Sequence, residues 1–151
     1  NVSWKEVKKM CVWLSKVTGK EWRLPTNAEW DGAVGNNMYP WGDYYPPNWD
    51  DGNYSIGKDG KNDRLRAGLD GIIGTAPVGS FKPNALGFYD LGGNVWEWTG
   101  DEIDEKTGLP TLRGGGHLAY ENFTNVQCRW GVNGEDRLGQ IGFRITCRSG
   151  P

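Results

Sequence analysis

The stretch Gly87–Asp101, GFYDLGGNVWEWTGD, decides how the rest of the chain is read. Val95 to Thr99 reads as a strand, so Trp96 and Trp98 share one face while Val95 and Glu97 share the other. The tryptophan face predicts an aromatic core, since a buried ring of this kind hides about 150–250 Å². The opposite face carries a carboxylate that a core does not tolerate unless something offsets its burial. Asp90, Gly93, Val95 and Glu97 together supply two carboxylates and backbone carbonyls within one glycine-containing turn. Hard oxygens at such spacing suit calcium, which takes about 6–8 oxygen ligands. The same acids also serve as turn caps if they accept from backbone N–H groups.

Outward from this centre, two helices are marked by their caps. Ser3-Trp4-Lys5-Glu6 is a capping box, and Val7, Met10, Cys11 and Leu14 follow at helical spacing on one predicted buried face. Gly19 is the expected stop. Thr26-Asn27-Ala28-Glu29 is a second capping box, opening a helix that Gly32, Gly35 and Asn36-Asn37 keep short. From Tyr39 to about Pro83 the sequence shows little periodicity, and Gly57 to Arg66 reads as its mobile tip. Strands are expected at Gly87–Leu91, Val95–Thr99, Leu112–Gly115 and Ile141–Cys147. The expected class is α+β, loop-rich, with two helices and short antiparallel strands in a single domain over 1–151.

Composition narrows the partners. Seventeen Lys+Arg against 19 Asp+Glu give a net charge of -2, which offers no electrostatic reason for nucleic acid or an anionic membrane. No apolar run approaches the roughly 20 residues of a membrane span, so membrane insertion is not expected. With 24 glycines and 9 tryptophans, large rings must supply much of the buried area between irregular segments, and the tryptophans read as core. Cys11, Cys128 and Cys147 permit at most one intrachain disulfide, and His117 is the single histidine.

Five segments in order resemble the formylglycine-generating enzyme (sulfatase-modifying factor) family: VSWKEVKKMCVWLSKVTGKEWRLPTNAEWD, YPWGD, GTAPVGSFKPNALGFYDLGGNVWEWTGD, LRGGG and IGFR. The resemblance implies the family's variant of the C-type lectin fold, with an N-terminal part of the family domain missing here. It also implies structural calcium at Asp90, Gly93, Val95 and Glu97. A second implied calcium site falls on Asn53, Tyr54, Asp70 and Ile72, with Asn48-Trp49 an alternative to Asn53-Tyr54. Cys11 and Cys147 resemble a family disulfide, the other possibility being two buried free thiols.

The family's oxidase holds copper through two nearby cysteines between its GG and GFR motifs. In this chain that segment, GGGHLAYENFTNVQCRWGVNGEDRLGQIGFR, has Cys128 alone, and the two family positions fall near Ala119 and Thr124. A lone thiol cannot give two-thiolate ligation of a soft metal, so no copper and no catalysis are expected. One histidine likewise cannot build the several-histidine iron site of another branch. His117, Glu121, Glu135 and Asp136 read as solvated surface rather than acid–base machinery.

Residues 116–140 lie between two firm anchors and mix aromatic with apolar side chains in no regular period. Such irregular surfaces are where binding residues concentrate. This layout resembles the variable proteins of diversity-generating retroelements, which place hypervariable residues just ahead of an IGFR-type ending. The expectation is a non-catalytic, receptor-type protein, contacting an unidentified protein or surface ligand at a cell surface or virion. Its contact residues would be His117, Leu118, Tyr120, Phe123, Trp130, Val132, Asn133, Leu138 and Gln140. A structural or accessory family member is the alternative, and an oxidase the remotest.

Overall fold

The computed structural model describes residues 1–54, 72, 74–100, 107–119 and 121–148, the Glu121 side chain excepted. Gly57–Arg66, Asp70 and Tyr120 therefore lie outside the described residues. Helix α1 spans Trp4–Thr18. Its capping box forms as expected: Ser3 Oγ accepts from the Glu6 N–H at 3.3 Å and the Ser3 N–H donates to Glu6 Oε2 at 2.9 Å. Gly19 closes the helix at φ +69, donating to the Ser15 carbonyl. Val7 and Cys11 form the buried face, with Met10 packed beside them. Helix α2, Asn27–Val34, starts on a second capping box between Thr26 and Glu29 and buries Trp30 and Val34.

The strands are β1 (Glu21–Arg23), β2 (Trp96–Trp98), β3 (Thr111–Arg113), β4 (Trp130–Gly131), β5 (Ile141–Phe143) and β6 (Thr146–Arg148); between β3 and β4 lies a short third helix, α3, at Glu121–Thr124. β1 pairs antiparallel with β6, and the other four form a sheet in the order β4-β3-β2-β5. The expectation of antiparallel strands holds except between β2 and β5, which run parallel, with Trp96 opposite Ile141 and Trp98 opposite Phe143. The chain between them is long enough to include β3, α3 and β4, which is what a parallel return requires.

Several expected boundaries change for local reasons. Gly87–Leu91 is not a strand: Asn84 Oδ1 accepts from the N–H groups of Leu86 and Phe88, both at 3.0 Å, and folds the stretch into a turn. The strand expected at Leu112–Gly115 is Thr111–Arg113, because Gly114 and Gly115 take φ +88 and +74. A Cβ on Gly114 would stand 2.6 Å from the Leu91 carbonyl oxygen, so only glycine fits this approach. The strand expected over Ile141–Cys147 is broken at Arg144-Ile145, and its halves enter different sheets.

Trp96, Trp98, Leu24, Leu112, Val132 and Ile141 form the main core with α1, and Trp30, Val34 and Leu91 a second cluster. The two most deeply buried indoles have their N–H groups paired: Trp98 donates to the Val2 carbonyl at 3.0 Å and Trp30 to Glu97 at 3.0 Å. The reading of all the tryptophans as core is corrected at Trp13 and Trp49, which are 61% and 73% exposed. Cys11 and Cys147, read as a family disulfide or as two buried free thiols, are unbonded in the structure, Cys11 buried against the core and Cys147 exposed on β6; Cys128 is free as well. No described helix is long and apolar enough to cross a membrane.

Candidate functional site: an aromatic patch and an oxygen-rich turn

β2 places Trp96 at the edge of the core, 4% exposed, with its backbone N–H donating to the Gln140 carbonyl at 2.8 Å. Two rings from the 116–140 segment rest on it. Phe123 of α3 meets Trp96 edge-on at 5.9 Å between centroids, and Trp130 of β4 is tilted against it at 5.1 Å. Phe123 and Trp130 remain 41% and 38% exposed, so each has one face on the core and the other toward solvent. Gln140 and Gly116 complete the patch: a Cβ on Gly116 would lie 3.0 Å from Gln140 Oε1 and 3.2 Å from Trp96 Cδ1. The sequence pattern had marked Phe123, Trp130 and Gln140 but treated Trp96, the floor that joins them, as core alone.

The other expected contact residues divide. Leu138 and Asn133 are exposed, and Asn133 is engaged in a turn, accepting from the Glu135 N–H at 3.0 Å. His117 and Leu118 are half-buried, with His117 Nδ1 3.2 Å from the Asn94 carbonyl oxygen. Val132, one residue past β4, is not surface: it is 7% exposed and packs in the main core, its N–H donating to the Pro110 carbonyl at 3.1 Å.

Ala119 and Thr124, near which the resemblance puts the two family cysteine positions, come together. Ala119 Cβ and Thr124 Cγ2 lie 2.9 and 3.3 Å from where a Gly115 Cβ would stand, and both residues are buried. Neither carries a thiol. Cys128 is half-buried elsewhere in the segment; burial pushes its thiol pKa up, with Arg113 and Arg129 opposing.

At the oxygen-rich turn, the carboxylate that the sequence placed against the core is offset by Arg144. Glu97 is 5% exposed, accepts from Arg144 Nε and Nη2 at 2.6 Å each, and accepts from the Trp30 indole at 3.0 Å. Arg144 Nη2 also donates to the carbonyls of Tyr89 and Asp90, at 3.1 Å each. Asp90 sits at φ +53; its Oδ2 accepts from the Gly79 N–H at 2.6 Å, and its Oδ1 is buried without a partner. These residues do not fit calcium as the pattern suggested. A guanidinium already neutralises Glu97 and holds the Asp90 carbonyl, and it would repel a divalent ion brought to the same oxygens. That leaves Asp90 Oδ1 as the one carboxylate oxygen of this turn without a partner, and no group of three or more His, Cys, Asp or Glu gathers among the described residues. In the second set, Asn53 is buried with Nδ2 donating to the Gly74 carbonyl at 2.8 Å, Tyr54 is buried, and Ile72 is half-buried; Asp70 is outside the described residues.

Comparison with known proteins gives the family and the fold. The Sulfatase-modifying factor enzyme 1-like domain matches residues 1–149. A formylglycine-generating enzyme of Mus musculus is 41% identical over 105 residues, covering 67% of this chain and 26% of that protein. An inactive C-alpha-formylglycine-generating enzyme 2 of Bos taurus is 34% identical over 161 residues, covering 99% of this chain and 49% of that protein. Among solved structures, PvdO from Pseudomonas aeruginosa superposes with a TM-score of 0.75 at 31% identity, covering 95% of this chain and 59% of its own. Treponema denticola variable protein 1 superposes with a TM-score of 0.65 at 28% identity, covering 86% and 49%. The chain thus spans about half or less of the curated relatives it matches. It belongs to the sulfatase-modifying factor (formylglycine-generating enzyme) family and has that family's C-type-lectin-like fold.

Proposed function

We propose that this chain is a non-catalytic, ligand-binding member of its family, of the kind diversified by retroelements. One observation carries the reading. Phe123 and Trp130 are anchored on Trp96 yet keep about two-fifths of their surface exposed, on the segment between the Arg113 and Ile141 anchors. Aromatic side chains held rigid on one face and open on the other suit a contact surface, because little conformational entropy is lost on binding. The likeness to a variable protein and to a relative named inactive supports the same reading. Other relatives are named as formylglycine-generating enzymes, and the lack of a second cysteine between the GG and GFR motifs, where the family positions fall near Ala119 and Thr124, weighs against that activity here. The proposed partner is a protein or surface ligand met at a cell surface or virion.

A second reading, a structural or accessory member, draws on Ala119, Thr124 and Val132, which are buried and make part of the segment scaffold. Flanking DNA separates the two. A reverse transcriptase gene with an adenine-rich near-copy of the segment coding for 116–140 is expected; their absence moves the assignment to the accessory reading. Catalysis is tested by incubating the chain with a cysteine-containing sulfatase peptide, with and without copper. No formylglycine should appear by mass spectrometry, and its appearance would make the chain an enzyme.

A further inference from the structure

The outer face of α1 carries a second surface, separate from the aromatic patch on Trp96. Val7 and Cys11 turn inward to the core. At about 100° per residue, Lys9 and Lys16 fall opposite them, and Trp13 and Val17 lie beside the two lysines. Trp13 and Val17 are 61% and 62% exposed. The Trp13 ring makes no ring contact or hydrogen bond with a described residue. Met10, half-buried at the edge of the core, extends the row, so that Met10, Trp13 and Val17 recur at i, i+3 and i+7. This is the spacing of an apolar seam that receives another helix. One turn earlier the row is closed by Glu6, which Arg137 covers through two hydrogen bonds.

The charge beside this row has one sign. Lys9 and Lys16 are both exposed and stand on the same flank of the row, about 10.5 Å apart along the helix axis. Neither forms an ion pair or hydrogen bond with a described residue. The acids close by are engaged: Glu135, whose charge Lys9 feels, is bonded to Lys5, and Glu6 to Arg137. Lys20, just past the Gly19 cap, adds a third cation without an ion pair among the described residues. On a protein whose net charge is -2, this strip is locally positive and apolar together.

We propose that this strip docks an amphipathic helix of another protein, its aliphatic side chains on Met10, Trp13 and Val17 and its carboxylates, two turns apart, on Lys9 and Lys16. Charges on the flank of an apolar seam select the partner. A second copy of α1 is the wrong partner. An antiparallel pair sets one lysine flank against the other, and a parallel pair sets it against the flank of Val7 and Leu14, so neither offers a carboxylate. A lipid surface is also disfavoured. With Met10 half-buried, Trp13 and Val17 are the side chains left to insert, and even a whole acyl chain alone binds membranes only marginally.

The test labels the full-length protein with 5-fluorotryptophan and identifies the Trp13 resonance by its loss in Trp13→Phe. The protein is titrated with a helical peptide of about 20 residues, long enough to hold a helix, carrying leucine at seam spacing and glutamate on both flanks. A second peptide has lysine in place of glutamate. A saturable shift of the Trp13 resonance is expected with the glutamate peptide, and roughly tenfold weaker binding with the lysine peptide. Lys9→Glu combined with Lys16→Glu should reverse that order, which a loss of folding cannot do. Trp13→Ala, followed through the leucine methyl resonances of the peptide, should weaken binding about tenfold and leave the melting temperature near that of wild type. The proposal is overturned by no saturable shift, by equal binding of the two peptides, or by an unchanged order in the double variant. It is overturned equally by a Trp13 resonance that moves with protein concentration alone, which assigns the strip to a second copy. A Trp13 resonance already shielded from a soluble paramagnetic agent before peptide is added, or tighter binding to phosphatidylserine vesicles than to the glutamate peptide, has the same consequence.

Discussion

Strand β2 and the 116–140 segment face each other across one side chain, Trp96, and they treat polarity and exposure in opposite ways. In β2, Trp96, Glu97 and Trp98 are 4%, 5% and 0% exposed, and even the charge among them is fully partnered. Across the segment, Phe123, Trp130 and Leu138 keep about two-fifths of their surface in solvent. Trp96 thus has a closed strand on one side and, on the other, rings that keep part of their surface in solvent. Substitutions should report this division as a fall in stability on one side and a loss of contact chemistry on the other.

The largest effect is expected at Trp98→Ala. The ring is completely buried and its N–H is bonded to the Val2 carbonyl, so the change should cost about 3–5 kcal/mol by chemical denaturation. A loss near that for a surface residue would erase the contrast. Arg144→Met follows. It strands the Glu97 carboxylate with the Trp30 indole as its remaining partner, at a cost of about 3 kcal/mol, the low end for a broken buried pair because Arg144 keeps 25% of its side chain exposed. Glu97→Gln placed on top should recover part of that loss. Since Arg144 supplies the counter-charge at Glu97, a chelator should not lower the melting temperature through the Asp90 turn; a fall that Asp90→Ala abolishes would return calcium to that turn.

How much of this was legible in the residues varies with the range of the interaction. Both helices were readable, because the Ser3–Glu6 and Thr26–Glu29 boxes are complete within four residues. The partner that Glu97 required was implied by alternation in β2, yet its identity was not, since Arg144 is 47 residues away. The parallel β2–β5 pairing was hidden for the same reason. Within the site, Phe123, Trp130 and Gln140 could be picked out as apolar or polar residues between anchors. Val132 could not be separated from them, because a two-residue strand is too short to display alternation.

On the open side the expected costs are smaller. Phe123→Ser and Trp130→Asn each give up one ring contact with Trp96 and should cost about 1 kcal/mol. Leu138→Asp should fall within about 0.5 kcal/mol. Combined, the three should leave a cooperative melt while removing binding to any protein captured by the wild-type surface. Val132→Asn is the control from the same segment, and its burial should make it the most damaging of the four. If the triple variant unfolds instead, the segment is scaffold throughout and the comparison with β2 collapses.

The smallest effect lies at the helix starts and is read by pH. Glu6 is held down to about 2 from its ordinary 4.5, first by the Arg137 guanidinium and then by the Ser3 N–H. Glu29 is held at about 2 as well, first by Arg23 and then by the Thr26 N–H. A carboxyl whose pKa is lower in the folded chain than in the unfolded one stabilises the fold while it is ionised. That contribution is complete above about pH 4.5 and is lost as pH falls toward 2. The melting temperature should thus decline across that window, and Glu6→Gln with Glu29→Gln should flatten the decline while lowering the plateau above it. Both carboxylates are largely exposed to solvent, so added salt should shrink the difference between wild type and the double variant. Arg144 and Glu97, shielded from that screening, should respond to salt far less. A salt response as large at Glu97 as at Glu6 would mean that the β2 carboxylate is open to water, and the distinction between a closed strand and an open segment would not hold at its most buried charge.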